Sequence, residues 1–470
     1  MKKKMNRLWG TALSFALVFS LSACSVVTTE QESNGTTASA DSEESVVSEQ
    51  ETTTEVSSDM GSVNVEPALS GEVELQIFTN ESDEANAAWT EVINAFEEAT
   101  GLTANVHMGS QVNEEMDSRW MQGNPPDFVW LNGAGLNDAV FQESGLFKDI
   151  TSVLEEGYVY GTDKKLSDVI DDNMLNRTAE GAVYRAPVLR TTHGIWYDAK
   201  YFRDNGYTVP ANYSEFVKES EQAVSNGIAA FTYAGQYPSY VLGGMIYPAI
   251  AAYGQDYFVA VGTGDIEALE SENMTSILTR WRDYCANDGF LLPGTATLDH
   301  TTSQIRWLAH ETLFIPVGLW LPGEVANSTP EDFEITYAPS PLIEDSQKTT
   351  VVYTARNAAI AENARNPENA EAFLRFLYTE EAQTILMNGL SDSSVLNDLD
   401  YESATTSLDK SIADAFATAA AAENQVYNNV DWGELGTTFG NVLNELAIGD
   451  ITVEDAQAAL VSTAQEAQEN

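Results

Sequence analysis

The middle of the chain reads Gly181-Ala-Val-Tyr-Arg-Ala-Pro-Val-Leu-Arg-Thr-Thr-His-Gly-Ile-Trp-Tyr-Asp-Ala-Lys-Tyr201. Pro187 fixes φ and disfavours helix for the residue before it, so this stretch is predicted to be extended. Its centre, residues 190–193, is polar, whereas a core strand would carry Val or Ile there. This pattern fits either a surface strand or a strand that crosses between two lobes and faces a cleft. The rest of the chain has to decide between the two.

The first 24 residues have the composition of a targeting segment. Four basic residues lie within the first seven positions, and residues 8–21 form an apolar run that is too short for a spanning helix. The segment ends in Leu21-Ser-Ala-Cys24, which resembles a bacterial lipobox. The resemblance implies that Cys24 becomes the lipidated first residue of the mature chain and anchors it to the outer face of the cell membrane. The alternative is an ordinary cleaved signal with an incidental cysteine.

Residues 25–70 follow as a second compositional zone. They contain no aromatic residue, no Lys and no Arg, and consist mainly of Ser, Thr, Glu, Asp, Val and Gly. Such a segment cannot bury enough apolar surface to offset the entropy lost on ordering. We therefore expect a disordered acidic tether between the anchor and the folded region.

The remaining residues, 71–470, exceed what one hydrophobic core usually supports, so two lobes are expected. The chain carries 72 Asp and Glu against 22 Lys and Arg, a net charge of −50. This charge repels nucleic acid and argues against a nucleic-acid partner. Cys285 is the one cysteine besides Cys24, and the four His lack metal-ligand spacing, so no disulfide, metal or cofactor is predicted.

The first part of this region predicts a β-α-β unit. Residues 73–79 alternate apolar and polar, residues 85–96 have helical apolar spacing, and residues 102–108 form a second strand. Ligands of such parallel sheets bind at the carboxyl ends of the strands. This rule selects Asn80 and Glu81 after the first strand.

Residues 124–130 predict a turn and a short buried strand, which ends before a Gly-rich loop. The same rule selects Trp130 and Asn132 at that carboxyl end. Trp130 could instead belong to the core. Further along, the aromatic turn at residues 234–240 offers Tyr237 and Tyr240, which could stack on a ligand or cover a helix end.

The order of these pieces resembles the extracytoplasmic solute-binding proteins of ABC importers, in the carbohydrate-binding group that includes maltose-binding protein. Four stretches carry the resemblance: Asn124-Pro-Pro-Asp-Phe-Val-Trp130, residues 183–202, Phe314-Ile-Pro-Val-Gly-Leu-Trp320, and Asn366-Pro-Glu-Asn-Ala-Glu-Ala-Phe-Leu-Arg-Phe-Leu377. The family implies an α/β fold of type II, with two discontinuous lobes that are joined by hinge crossings and close on the ligand.

The predicted lobes follow from this fold. Lobe 1 comprises residues 71–190 plus 341–380, and lobe 2 comprises residues 191–340 plus 381–470. The crossings are expected near residues 189–194, 335–341 and 379–390. Under this prediction the polar centre of the opening stretch lies at the base of the cleft.

The resemblance also implies a function. It predicts a monomeric, non-enzymatic protein that captures a sugar or oligosaccharide and delivers it to permease subunits. Sugar rings present an apolar face and a rim of hydroxyls, which suit an aromatic platform flanked by polar side chains. The family's Gly-x-Trp position falls on Gly318 and Trp320, and its C-terminal aromatic position falls on Trp432.

Apart from Gly318, the predicted ligand-binding residues have polar or aromatic side chains, and the full set is Asn80, Glu81, Trp130, Asn132, Arg190, His193, Tyr237, Tyr240, Gly318, Trp320, Arg356 and Trp432.

Two alternatives stay open at this stage. The same fold could bind a non-sugar solute such as a polyamine, a peptide or an anion. A cationic ligand would be recognised by carboxylates around an aromatic group, and Glu81, Asp83 and Glu324 are available. A surface glycoside hydrolase would instead need two carboxylates that flank a scissile bond, and an acidic chain could supply them.

Overall fold

The structure is a computed structural model, and it describes Glu66 and residues 68–79, 83–133, 135–396 and 407–469. The predicted signal segment with Cys24, most of the predicted tether, Asn80 and Glu81 lie outside the described residues.

The described strands are β1 (Glu72–Phe78), β2 (Thr103–Gly109), β3 (Phe128–Leu131), β4 (Ala186–Asp198), β5 (Ala229–Phe231), β6 (Thr312–Gly318), β7 (Ile335–Ala338), β8 (Val351–Ile360), β9 (Ser393–Ser394) and β10 (Gln425–Tyr427). The helices before β6 are α1 (Asp83–Thr100), α2 (Val112–Met121), α3 (Asp138–Glu143), α4 (Thr151–Glu156), α5 (Leu166–Val169), α6 (Ala199–Asn205), α7 (Tyr213–Ser225), α8 (Ser239–Val241), α9 (Tyr247–Ala251), α10 (Gln255–Gly262), α11 (Ile266–Leu269), α12 (Glu272–Cys285) and α13 (His300–Leu308). The later helices are α14 (Leu321–Val325), α15 (Pro367–Phe376), α16 (Glu380–Leu390), α17 (Ser407–Ala421), α18 (Gly433–Ile448) and α19 (Val453–Glu469). A π-helical turn, Leu242–Ile246, joins α8 to α9.

The strands form one mixed sheet in the order β2-β1-β3-β8-β4-β6-β5. β1 pairs in parallel with both β2 and β3, as the predicted β-α-β unit requires. β3 and β4 each pair antiparallel with β8, so β8 lies at the centre of this order. β5 and β6 form a second parallel pair at the far end. The carboxyl ends of β1 and β3 therefore lie at one edge of the sheet.

The opening stretch forms β4, which has a different partner along each half. Its first half, through Thr192, pairs with β8, and its second half, from His193, pairs with β6 and β7. A single thirteen-residue strand thus links the strands around β1 to the strands around β6. The polar residues lie where the partner changes, and this is where the sequence predicts a crossing.

The other two predicted crossings have different structures. Residues 335–338 form β7, which pairs with the second half of β4. Residues 380–390 form α16, a helix that packs along α1. Gly389 makes this approach close, because a Cβ atom there would lie 2.3 Å from Cβ of Ala88. The chain therefore stays against the β1 side of the sheet until the end of α16, ten residues beyond the predicted end of lobe 1.

Helix α1 shows why the periodic parts of the chain were predictable. Its buried residues recur three or four positions apart and form one stripe: Ala85, Ala88, Trp89, Val92, Ile93 and Phe96. Gly101 follows the helix with φ of 72°, a left-handed conformation that favours glycine. The chain then turns back into β2, as expected.

The folded region begins before residue 71, the predicted boundary. Glu66 forms an ion pair with Arg375 of α15, and its carboxylate accepts a hydrogen bond from the backbone N–H of Gly161 at 3.0 Å. The side chain of Asn369 donates to the carbonyl oxygen of Ser70 at 3.1 Å. These bonds fix the last part of the predicted tether to the surface of the fold.

Bilayer crossing needs a helix of sufficient length and hydrophobicity, and no helix in the described part of the chain meets that requirement.

Candidate functional site

A cavity of about 530 Å³ lies at the carboxyl ends of β1, β3 and β6. This volume is in the range typical of small-molecule sites. One wall comes from the end of β1, the first turn of α1, the loop after β3 and the end of α16. The opposite wall comes from Trp320 and α14, and the start of α17 closes one side. The cavity thus lies in the crevice where the sheet topology predicts a ligand.

Trp320 is half-buried and presents its ring to this cavity. Its position depends on Gly318, because a Cβ atom at that residue would lie only 2.1 Å from the indole ring. The ring of His193 meets the indole edge-on at 4.9 Å, and the ring of Tyr240 does so at 6.2 Å. Three predicted residues therefore hold the indole in place, and its remaining surface is available for stacking.

Arg356, from the middle of β8, lines the cavity, and an acidic side chain compensates its positive charge. It forms an ion pair with Asp392, whose side chain is fully buried just beyond the end of α16. Burial raises the pKa of the Asp392 carboxyl, and the nearby Arg356 guanidinium opposes that shift. The guanidinium has five N–H donors, so its ion pair with Asp392 fixes its position and leaves other donors for a ligand.

His193 is uncharged at neutral pH. Burial, and to a lesser extent the positive charge of Arg356, lower the pKa of its imidazole to about 4. A neutral imidazole offers one donor and one acceptor. The ring can therefore orient Trp320 without adding charge to the site.

Three carboxylates, from Glu84, Glu324 and Asp409, line the same cavity. Gln304 donates to the Glu324 carboxylate at 2.6 Å. The surrounding atoms remove water from this carboxylate and raise its pKa, although the residue as a whole stays exposed. The Gln304 hydrogen bond and His300 act in the opposite direction. The cavity lining is thus rich in hydrogen-bond acceptors, and its carboxylates outnumber its one arginine.

Asn388, near the end of α16, adds an unsatisfied acceptor. Its side-chain oxygen is buried and meets no hydrogen-bond donor among the described residues, and the residue lines the cavity. Ser391 ends the helix in a left-handed conformation, with φ of 53°, and the chain then turns into Asp392. A buried acceptor without a partner is costly.

Of the predicted residues, Asn132, Trp320 and Arg356 line the cavity directly. Sequence reasoning did not select Glu84, Asn388 or Asp409. Glu84 has the local appearance of an ordinary acid in the first turn of a helix, so the sequence offers no signal for it.

Trp130 lies in the core and not in the cavity, so the site role predicted for it is not supported. It is 1% exposed and meets Trp89 of α1 edge-on at 5.1 Å. Its strand pairs on both sides, with Ile77 and Ala358 directly opposite. Because alternate residues of a strand point to opposite faces, Trp130 has to point at the layer formed by α1.

Trp432, another of the predicted ligand-binding residues, also lies in the core. It is 8% exposed, and its ring packs against Tyr247 at 4.4 Å and Phe258 at 5.4 Å. Its indole N–H donates to the side-chain oxygen of Asn428 at 3.1 Å. These contacts place the indole in the core around α10 and α18.

Arg190 and Tyr237 do not line the cavity. Arg190 and His193 are three positions apart on β4, so their side chains point to opposite faces of the strand. The Arg190 guanidinium lies over the rings of Phe416 at 5.0 Å and Tyr353 at 5.7 Å. Tyr237 is 45% exposed on the outer surface.

Comparisons with known proteins agree with this architecture. A family model described as bacterial extracellular solute-binding protein matches residues 80–384. The diacetylchitobiose binding protein NgcE of Streptomyces coelicolor is 24% identical over 300 residues, which are 60% of this chain and 61% of that protein. This chain therefore spans less than two thirds of the length of that relative.

Solved structures show the same fold. A chitin oligosaccharide binding protein superposes with a TM-score of 0.63 at 18% identity, over 85% of this chain and 99% of that chain. The apo form of RafE from Streptococcus pneumoniae superposes with a TM-score of 0.62 at 17% identity, over 85% and 98% of the two chains. A structure of RafE in complex with raffinose gives a TM-score of 0.59 at 18% identity, over 84% and 99%. At these identities the likeness establishes the type II two-lobe fold.

Proposed function

The chain belongs to the bacterial extracellular solute-binding proteins, and from that membership we propose that it captures a sugar or oligosaccharide and delivers it to the permease of an ABC importer. The observation that carries the proposal is the half-buried indole of Trp320, which faces a cavity lined by carboxylates, Asn388 and Arg356. An indole face suits the C–H face of a sugar ring, and the surrounding groups suit its hydroxyls.

The polar groups match the hydrogen-bonding pattern of a hydroxyl rim. Each sugar hydroxyl both donates and accepts, so it can donate to Glu84 or Glu324 and accept from Arg356. Hydrogen bonds to charged groups are worth about 1.5–3 kcal/mol each. Several such bonds and one aromatic stack are enough for a micromolar complex, which needs about −8 kcal/mol.

The named relatives point to the same class of ligand. One is called a diacetylchitobiose binding protein, another a chitin oligosaccharide binding protein, and a third was solved with raffinose. All three ligands are saccharides of at least two rings, which supports an oligosaccharide for this chain.

A cationic solute is the second candidate, because the cavity has three carboxylates and its arginine is already paired with Asp392. A polyamine could place an ammonium group against Trp320 and Glu324. An anionic solute fits poorly, since the carboxylates would repel it. We propose binding without catalysis, and any hydrolase activity would appear as released reducing ends.

We also propose that Cys24 carries the lipid anchor, that residues 25–65 tether the folded region to the membrane, and that the two walls of the cavity close on the ligand. Closure around an aromatic platform would remove water from the ligand and strengthen its hydrogen bonds. The cavity walls belong to segments that β4 connects, which is the arrangement that such a hinge needs.

Isothermal titration of the folded region with sugars, oligosaccharides and spermidine tests the proposal. Heat with saccharides alone supports it, and heat with spermidine alone supports the second candidate. If neither class gives heat and no co-purifying ligand blocks the site, the proposed function is wrong.

A further inference from the structure

A fully buried carboxylate, that of Asp392, lies behind the cavity wall that carries Arg356. The Asp392 side chain is 0% exposed, whereas the side chain of Arg356 keeps 15% exposure. Arg356 lines the cavity and Asp392 does not. The carboxylate therefore meets the guanidinium from the interior of the protein, and a ligand in the cavity meets it from the other side.

The segment that carries Asp392 is held in place on both sides of this residue. The backbone N–H of Asp392 donates to the carbonyl oxygen of Met387, in the last turn of α16, at 3.2 Å. The next two residues form β9, which pairs with β4. The hydroxyl of Ser394 donates to the side-chain oxygen of Gln383 at 2.6 Å, and the Gln383 amide donates to the carbonyl oxygen of Val188 at 2.9 Å. The carboxylate is thus fixed against the sheet.

Three segments that are far apart in the sequence meet at this carboxylate. Arg356 comes from β8, Thr191 comes from β4, and Asp392 follows α16. β4 and β8 are paired directly, with Leu189 opposite Arg356. Burial raises the pKa of the Asp392 carboxyl, while the charge of Arg356 and a hydrogen bond from the Thr191 side chain lower it. Both partners thus favour the ionised carboxylate.

The ion pair decides which charge the cavity presents at Arg356. Among the lining residues that the structure describes, Arg356 alone has a basic side chain, whereas Glu84, Glu324 and Asp409 are acidic. An arginine without an acidic neighbour would attract a ligand carboxylate, because the planar guanidinium matches its two oxygens. Asp392 already supplies that negative charge from a site without water, where the attraction between charges is strong. The pair as a whole therefore has no net charge.

We infer that Asp392 is a specificity-determining residue, because its carboxylate neutralises Arg356 and makes the cavity reject saccharides that carry a carboxylate, such as uronic acids. This inference rests on the proposed function and extends it, since it names the class of saccharide as uncharged at the ring that meets Arg356. Asp392 acts through Arg356 without touching the ligand, so it is a positioning residue. The guanidinium keeps donors for sugar hydroxyls.

Titration calorimetry on the folded region compares neutral saccharides with matched acidic ones. The probes are 1,4-linked di- and trisaccharides of glucose, galactose and N-acetylglucosamine, and their counterparts in which the C6 alcohols are oxidised to carboxylates. The wild type is expected to bind one neutral series and to bind its acidic counterpart at least about tenfold more weakly. A wild type that binds an acidic saccharide as tightly as the neutral one overturns the inference, and this arm needs no variant.

Asp392→Asn removes the charge and keeps the shape of the side chain. Because Arg356 is 15% exposed at the cavity, water can hydrate its uncompensated charge, and the variant is expected to fold. The ratio of neutral to acidic affinity should fall about tenfold relative to the wild type, since a charge in contact with the guanidinium is gone. Adding Arg356→Gln to this variant should abolish the shift, because the gain in acidic affinity requires the guanidinium.

Thr191→Val is the matched control, because it removes a hydrogen bond to the same carboxylate without changing any charge. It is expected to keep the wild-type ratio. If Asp392→Asn weakens neutral and acidic saccharides equally, or only lowers Tm, Asp392 is structural and the inference is wrong. It is also wrong if Thr191→Val shifts the ratio as much as Asp392→Asn does. If the wild type binds no saccharide of either class, the proposed function fails first.

Discussion

Two strands of the sheet lead into a tryptophan, and the two tryptophans have opposite surroundings. Trp130 lies within β3, paired on both sides and buried against Trp89. Trp320 lies two residues beyond the end of β6, half-buried at the cavity. Within a paired strand the pleat decides which way a side chain points. Beyond the last residue of β6 the backbone no longer pairs with a neighbouring strand. The Trp320 ring can therefore pack against Gly318, in the space that a side chain at that position would fill.

The difference shows that a tryptophan near the end of a strand predicts a binding role only if it lies beyond the last residue that pairs with a neighbouring strand. A ring on a residue within the paired strand, such as Trp130, packs into the core, whereas a ring two residues after a glycine at the strand end, such as Trp320, can face a cavity. The first kind should act on stability and the second on affinity.

The largest effect is expected from Trp130→Ala. This substitution removes a fully buried ring between α1 and the sheet, and such changes cost about 3–5 kcal/mol. Urea unfolding of the unliganded protein measures the loss. The protein that remains folded should bind its ligand with almost unchanged affinity. Stability close to that of the wild type would mean that Trp130 is not a core residue.

The surroundings of Trp320 also predict a dependence of stability on pH. The pKa of His193 is lowered to about 4 in the folded protein, compared with 6.5 in model peptides. Between these values the unfolded chain binds more protons, so stability is complete above pH 6.5 and is lost as the pH falls toward 4. Because His193 as a whole residue is only partly buried, we expect a loss of roughly 2 kcal/mol from this group.

Urea unfolding at pH 7 and pH 4.5 measures this effect as the difference between the wild type and His193→Gln. Carboxylates titrate in the same range, and they do so in both proteins. The variant should lose less stability on acidification. Equal losses would show that the His193 ring is not desolvated.

Trp320→Ala is expected to act on binding. Loss of the stacking face should weaken the saccharide by at least about tenfold, or about 1.4 kcal/mol. Thermal unfolding of the unliganded protein should stay nearly unchanged, since the indole is only half-buried. Calorimetry and a thermal melt without ligand check the two halves of this prediction. A drop of several degrees in Tm would make Trp320 a core residue like Trp130.

Much of the fold was predictable because its signals are local. The β-α-β unit and the buried stripe of α1 follow from periodicity. Two of the stretches that carried the family resemblance meet at a buried junction, where Asp127 accepts hydrogen bonds from the backbone and side chain of Asn366 and from the backbone of Glu74. All of these bonds are internal, so these motifs report on the fold and not on the ligand.

The site was less predictable because long-range packing assembles it. Asn388 reaches the cavity because α16 packs on α1 through Gly389 and Ala88, residues 301 positions apart. No periodicity in the sequence encodes that contact. The burial of Trp130 and Trp432 depends in the same way on helices that approach from elsewhere in the chain. The contact between Gly318 and Trp320 differs from these, because its geometry is contained within three residues.

That local geometry gives the smallest and most specific prediction. Gly318 does not have a positive φ, so Gly318→Ala causes no backbone strain of the left-handed kind. Its new Cβ atom instead meets the indole ring and has to displace it, and affinity should fall by a few-fold up to the loss expected for Trp320→Ala. In a double-mutant cycle, Gly318→Ala should have almost no further effect once Trp320 is Ala, because the group it displaces is gone. Calorimetry on the four proteins measures the coupling. Additive losses would mean that Gly318 acts through the strand, and the role assigned here to the Gly-x-Trp step would have to be abandoned.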